Sequence, residues 1–233
     1  MIEIKNLNKI YLKGKKNMVH ALNNINLKID DRETVAIIGE SGAGKSTLLH
    51  IMSCIDNFDG EYYLDNIDIN KLSESKKSKL RSSKIGIVLQ DFALIDDFTV
   101  FENVMTPLYF NKKIKDKKGS VMRALKKTGI ASLKSKKVSQ LSGGQKQRVA
   151  ISRALVTSPE YIFADEPTGS LDSKTSEEIV KMLFDLNRNG ITIVIVTHNL
   201  EIANQCHHII EIKDGNIIKR SEERRVGKEC RSR

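Results

Sequence analysis

Nine consecutive residues, Gly39, Glu40, Ser41, Gly42, Ala43, Gly44, Lys45, Ser46 and Thr47, set three glycines, a lysine and hydroxyls in the order needed to hold a triphosphate. The glycines let the backbone turn so tightly that successive N–H groups point into one concavity. Those donors, with a positive helix end behind them, surround phosphate oxygens. Lys45 can reach the β and γ phosphates as a point charge, and the Ser46 hydroxyl suits Mg²⁺. The apolar run Val35 to Ile38 reads as a strand leading into the loop, and Lys45 to Cys54 reads as the helix leaving it. That context separates a phosphate loop from an ordinary glycine-rich turn.

A second constellation is Asp165 and Glu166, at the mouth of the apolar run Tyr161 to Ala164. A carboxylate at the end of a buried strand is costly unless paired or coordinated, and Mg²⁺ supplies a partner for Asp165. Glu166 is then placed to orient or deprotonate a water beside the γ phosphate. Pro167 and Gly169 argue against reading either carboxylate as the cap of an immediate helix. Gln90 ends the run Ile85 to Leu89, and His198 follows Thr192 to Val196. Ligands of open α/β sheets gather at the carboxyl ends of strands, so both point toward the same nucleotide. A third string, Leu141, Ser142, Gly143, Gly144 and Gln145, opens a helix bearing Val149, Ala150 and Ala154. Its hydroxyl and unhindered N–H groups form a second anion-facing helix start. Taken alone it is a capped helix; beside a complete phosphate loop, it suggests that ATP is held between two copies of the chain.

The elements that must position these residues follow from patterning. The four short apolar runs suit central parallel strands covered on both faces. Helical stretches separate the later ones: Ile179, Met182, Leu183 and Leu186 share a face, Thr175 and Glu178 read as a capping box, and Gly190 ends the segment. Ile2 to Leu7 and Ile25 to Ile29 alternate as antiparallel strands do, and Asp214-Gly215 marks a hairpin. Between about 91 and 157 the chain reads as an inserted helical lobe, with a stripe of Val121, Leu125 and Ile130. The expected fold is α/β: a P-loop NTPase core with a parallel sheet, an antiparallel β flank and an inserted α-helical subdomain, over 1–219.

Composition bounds the rest. The 233 residues are 39% apolar and 29% charged, as in a globular chain, and net charge is +10. No apolar run is long enough to cross a bilayer, and no leader is visible at the start. Cys54, Cys206 and Cys230 match no metal or disulfide framework and read as reduced thiols. Lysines crowd 71–84 and 112–137 with few interleaved aromatics, so they read as a solvated face, and no nucleic-acid partner is expected.

With those residues in place, the chain resembles the ATP-binding subunit of ABC transporters over roughly Met1 to Lys219, with each family motif in its expected order. The resemblance implies that Tyr11 stacks on adenine, that Gly39 to Thr47 is the Walker A loop, and that Gln90 links Mg²⁺ to the membrane subunits. It likewise implies that Leu141 to Gln145 closes over ATP held by the other subunit. Asp165 and Glu166 are then Walker B with Glu166 as catalytic base, Ser170 to Asp172 the D-loop at the dimer interface, and His198 the switch on the γ phosphate. The implied metal ligands are Ser46, Gln90 and Asp165, and the implied cofactors are ATP and Mg²⁺. Gly39 to Gly42, the motif Ala164 to Asp172 and the short length are similar to the MacB/LolD/BceA branch, and Phe92 to Ile95 with Thr99 to Asn103 resembles the bacteriocin exporters in it. That branch implies separately encoded permease subunits, a homodimeric ATPase at the cytoplasmic face of the cell membrane, and a peptide, lipoprotein or antimicrobial as cargo. Three departures are Arg32 where glycine is usual, Val138-Ser139 where proline is common, and Lys146 in place of a frequent glutamine.

Two other readings compete. A soluble ABC ATPase acting on ribosomes or nucleic acid usually carries two ATPase domains or a coiled coil; here one domain and no heptads are visible. A P-loop kinase leaves Leu141 to Gln145 unexplained. The segment 220–233, six basic residues against three acidic, has no packing periodicity and is identified as the translation of a common sequencing-library adapter. It is expected to be non-native and is excluded from the fold.

Overall fold

The computed structural model describes residues 1–14, 16–111 and 113–221. Of the segment expected to be non-native, 222–233 lies outside the described residues. Arg220 and Ser221 continue the sheet: the Ser221 N–H donates to the Ile209 carbonyl at 2.9 Å, two residues past the boundary at 219.

In chain order, the first elements are β1 (Ile2–Tyr11), β2 (Val19–Ile29), β3 (Thr34–Ile38), α1 (Lys45–Met52), β4 (Asp59–Leu64) and β5 (Ile67–Asp68). Next come α2 (Glu74–Lys84), β6 (Ile85–Val88), α3 (Val100–Phe110), α4 (Lys117–Lys127) and α5 (Gly143–Leu155). The chain continues through β7 (Tyr161–Asp165), α6 (Ser173–Arg188), β8 (Thr192–Val196), α7 (Leu200–Asn204), β9 (His208–Lys213) and β10 (Asn216–Arg220). One sheet is antiparallel in the order β2-β1-β4-β5, and the other runs β10-β9-β3-β8-β7-β6. In the second sheet β9, β3, β8, β7 and β6 are parallel and β10 alone is antiparallel.

The period of two along β7 and β8 divides the interior into two cores. Ile162, Ala164, Ile193 and Ile195 face one, together with α3 to α6. Tyr161, Phe163, Val194 and Val196 face the other, where α1 lies between the two sheets. Every residue of β7 and β8 is buried, which is why both read as continuous apolar runs rather than alternating ones. The stripe of Val121, Leu125 and Ile130 is buried in the first core, under the helical lobe. The hairpin at Asp214 and Gly215 forms with both φ positive, +48° and +74°, the geometry that matches the twist of its flanking strands.

Two local expectations need adjustment. The helix of Ile179 to Leu186 is not opened by a Thr175/Glu178 box. It starts at Ser173, and Asp172 is its cap, accepting from the Thr175 N–H at 3.0 Å and hydroxyl at 2.6 Å. Glu178 instead pairs with the Arg148 guanidinium at 2.6 Å. A short acidic side chain just outside the helix reaches its free N–H groups at no cost in register, so it outcompetes the inner pair. Arg32 does form its turn, at φ +66°. Hydrogen bonds from Asn187 to the Arg32 carbonyl (2.7 Å) and from its N–H to Thr192 (2.8 Å) hold the left-handed conformation that glycine adopts freely.

Candidate functional site

The parallel strands deliver their carboxyl ends to one edge, and the residues that follow them converge there. A cleft of about 590 Å³ is lined by Tyr11, by Gly39, Ser41, Gly42, Gly44, Lys45, Ser46 and Thr47, and by Gln90, Asp165, Glu166 and His198. Val19, His20, Ala21, Gly169 and Val196 complete it. Of these, Val19 to Ala21 were not singled out in the sequence; the pairing of Tyr11 with Val19 across the first hairpin brings them in.

Two loop glycines are required by space as well as by φ. A Cβ on Gly39 would lie 2.1 Å from the Ile212 carbonyl oxygen, and one on Gly44 would lie 2.4 Å from that of Ala21. The loop is thus clamped against β2 and β9, with its glycines at the cleft wall. The Lys45 ammonium arches over the loop and donates to the Gly39 and Glu40 carbonyls at 2.8 and 2.7 Å. Glu40 and Ala43 belong to the loop but not to the cleft wall: the Ala43 N–H closes a turn onto Glu40, and its methyl is buried in the core. Tyr11 is held by its hydroxyl, which donates to Asp56 at 2.8 Å, and by the Lys9 ammonium 4.7 Å from the ring centroid. Partial burial, with Asp56 adding to it, raises the Tyr11 phenol above its ordinary value.

Across the cleft, Asp165 ends β7 and is largely buried at its wall. Glu166 follows with φ +43°, a strained conformation for a side chain that is not glycine. Its N–H donates to the Val196 carbonyl at 2.9 Å. The His198 Nδ1 lies 3.0 Å from both carboxylate oxygens of Glu166. Oε1 has hydrogen-bonding alignment to it; Oε2 is buried with no hydrogen-bond partner among the described residues. The site therefore presents an imidazole–carboxylate pair with acceptor capacity to spare, in one cleft with the glycine loop and the Lys45 side chain. Ser46, Gln90 and Asp165 bring hydroxyl, amide and carboxylate oxygens to the same cleft, the hard donors that suit Mg²⁺ together with phosphate oxygens. Among the described residues no cluster of three or more His, Cys, Asp or Glu could hold a metal by itself.

Ser142, Gly143, Gly144, Gln145 and Asp172 are not brought to this cleft. Ser142 and Gln145 cap each other at the start of α5, at 3.4 and 3.2 Å. Gly144 packs on α6, where a Cβ would approach the Thr175 methyl to 2.4 Å. The hydrogen bonds from the Thr175 hydroxyl and N–H lower the Asp172 carboxyl below its usual range. These residues form a second surface beside the cleft-bearing one.

A glycine loop between a parallel strand and a helix, facing a strand that ends in two carboxylates, defines a P-loop nucleotide hydrolase. The family described as ABC transporter matches residues 22–169. An uncharacterized ABC transporter ATP-binding protein of Methanocaldococcus jannaschii, MJ0796, is 46% identical over 224 residues, covering 93% of this chain and 95% of that protein. The macrolide export ATP-binding/permease protein MacB of Mannheimia succiniciproducens is 44% identical over 220 residues, 94% of this chain. The chain spans about a third (34%) of the length of that relative. A dimeric structure of MJ0796 in a post-hydrolysis state with ADP and Pi superposes with a TM-score of 0.88 at 42% identity, covering 96% of this chain and 99% of that one. The chain belongs to the ABC transporter family, in its MacB/LolD-like branch, and is an ATP-hydrolysing cassette.

Proposed function

We propose that two copies of this chain close on two ATP molecules, each held by the Gly39–Thr47 loop of one copy and the Ser142–Gln145 helix start of the other, and part after hydrolysis. The observation that carries this reading is the division just described: the loop, Gln90, Asp165, Glu166 and His198 share one cleft, while Ser142 to Gln145 and Asp172 lie on a separate surface. A second anion-facing helix start that does not face the chain's own cleft is accounted for if it faces a partner's. The dimeric state of MJ0796 supports the same arrangement.

In this reading Tyr11 stacks on the base, the loop amides and Lys45 bind the phosphates, and Ser46, Gln90 and Asp165 hold Mg²⁺, which when bound neutralises phosphate charge. Glu166 orients a water for in-line attack on the γ phosphate and accepts its proton, while His198 keeps the carboxylate aimed. Asp172 stands at the dimer seam. The chain is peripheral, at the cytoplasmic face of the membrane: no described helix is long and apolar enough to cross one, and membrane partners supply the permease portion that MacB carries within a longer protein. Those partners seat on Asp91 to Phe101 and the adjoining groove of about 350 Å³ between α2, α3 and α5, at whose rim Phe110 is 75% exposed. The cargo class is a peptide, lipoprotein or antimicrobial, exported or extracted.

Glu166→Gln tests the sandwich. With ATP it is expected to elute as a stable dimer in size-exclusion chromatography with little turnover; elution as monomer alone would overturn the shared site.

A further inference from the structure

Helix α5 begins with the Ser142–Gln145 turn, but two of its later side chains reach elsewhere. Gln147 is buried, and its amide nitrogen donates to the Pro167 carbonyl at 2.6 Å. Pro167 is the residue after Glu166, whose left-handed φ must be imposed by its surroundings. Two backbone hydrogen bonds brace that turn: Glu166 N–H to Val196, and Gly169 N–H to the Glu166 carbonyl. Gln147 adds a side chain from another element that grips it. Its own carbonyl oxygen is buried with no hydrogen-bond partner among the described residues, so the bond to Pro167 is what the amide contributes there.

Two turns further along, Arg153 does the same at the other catalytic corner. Its guanidinium donates to the Phe92 carbonyl at 2.8 Å and to the Ala93 carbonyl. Phe92 and Ala93 follow Gln90 within three residues and stand consecutively at φ +61° and +45°. Neither is glycine, so this bend too is held from outside, and a planar fork that binds two successive carbonyls is suited to holding it. Burial lowers the affinity of the guanidinium for its proton, with Asp91 opposing. β6, the strand that ends before Gln90, lies directly against α5: a Cβ on Gly86 would come within 2.7 Å of the Ala154 carbonyl oxygen. One short rigid helix thus grips the turns behind both Gln90 and Glu166, and carries at its tip the residues offered to the partner's nucleotide.

We propose that Gln147 and Arg153 are positioning residues of the ATPase, through which α5 ties the backbone at Glu166 and at Gln90 to the Ser142–Gln145 tip. The inference rests on the catalytic roles assigned above to Glu166 and Gln90. Through it, a protomer's own hydrolytic groups respond to whether its tip is seated on the mate's ATP, a coupling carried by packed contacts within one element.

The test uses the full chain with ATP and Mg²⁺. Gln147→Met and Arg153→Met keep volume and remove the donors. Each is expected to lower turnover about 10- to 100-fold, as small misplacements of catalytic groups do, with the half-saturating ATP concentration within about twofold of the parent. Arg153→Lys, which can still donate to one carbonyl, is expected to recover part of the loss. In single-turnover hydrolysis, Gln147→Met combined with Glu166→Gln is expected to cost nothing beyond Glu166→Gln alone. Additive losses, or a fall in ATP affinity that accounts for the lost rate, would overturn the positioning role. Normal turnover of Glu166→Gln itself would instead overturn the underlying reading of Glu166. Melting of each variant separates these outcomes from misfolding; should the methionine variants fail to fold, Gln147→Glu, which keeps shape but turns an acceptor toward Pro167, replaces them with the same expected loss of turnover.

Discussion

The two ends of β7, about 13 Å apart by strand rise, are both polar and are built on opposite plans. At the amino end the Tyr161 hydroxyl donates to Asp65 at 2.5 Å and lies 3.0 Å from Asp31. Lys84 binds the other Asp65 oxygen at 2.5 Å and Glu160 at 2.9 Å, and the Met1 amine reaches Asp31, Asp65 and the phenol oxygen. Each carboxylate there has its donors from within the chain. At the carboxyl end Asp165 lines the cleft and Glu166 meets an imidazole, and a buried Glu166 oxygen has no hydrogen-bond partner among the described residues. A polar cluster whose bonds close among themselves anchors a fold; one left with acceptor capacity at a cleft wall is arranged for something that arrives. The same strand, read from end to end, passes from stability to chemistry.

Perturbing the carboxyl end should therefore cost activity and spare the fold. The largest effect expected is that of Glu166→Gln, a loss of turnover of roughly 10²- to 10⁴-fold, the range for removing a general base. Its steady-state rate is to be compared with ATP affinity, which should be preserved. Lys45→Ala comes next. Deleting a charged donor to phosphate is worth about 1.5–3 kcal/mol, so ATP affinity measured by calorimetry should weaken about 10- to 100-fold, with the melting temperature of the free protein little changed. Unaltered nucleotide affinity would remove Lys45 from the site.

How much of this was open to a sequence reader depends on what each residue's partner is. Gly39 to Thr47, Gln90, Asp165, Glu166 and His198 could be placed because each follows an apolar run whose β character is evident, and parallel strands send their ends to one edge. The two-sided core followed from the same runs. Gln147 and Arg153 left no such trace. Their partners are backbone carbonyls of Phe92, Ala93 and Pro167, and backbone groups carry no sequence signal until the chain has folded around them. The cap at Asp172 was masked by Thr175 and Glu178, a box of valid spacing one turn too late. The amino-end cluster draws on residues as distant as 31 and 161, a juxtaposition set by tertiary structure alone.

At the amino end the signs reverse. Tyr161→Phe removes a buried hydroxyl and the donor to Asp65, and is expected to destabilise the fold by about 1–3 kcal/mol in denaturant titration. Turnover at neutral pH should match the parent, since no cleft residue is touched. A comparable fall in ATPase rate at full stability would mean that the two ends are not separate.

The smallest effect expected is in acid. Burial alone would raise the Asp65 carboxyl, but the hydrogen bonds from Lys84, the Met1 amine and Tyr161 outweigh it and hold the group far below the ordinary carboxylate range. A carboxyl depressed in the folded state contributes stability that is complete above its unfolded pKa, about 3.9, and is lost as pH falls from there toward the folded value. Lys84→Met weakens the depression, so the loss of stability should be greatest near neutrality and shrink as pH falls below about 3.9, and the midpoint of acid unfolding should move to higher pH. Because the group is partly solvated, the shift is expected to be modest. An acid midpoint unmoved by Lys84→Met would show that the remaining donors satisfy Asp65 by themselves, and that the amino-end network has redundancy which the carboxyl end, with its single imidazole, lacks.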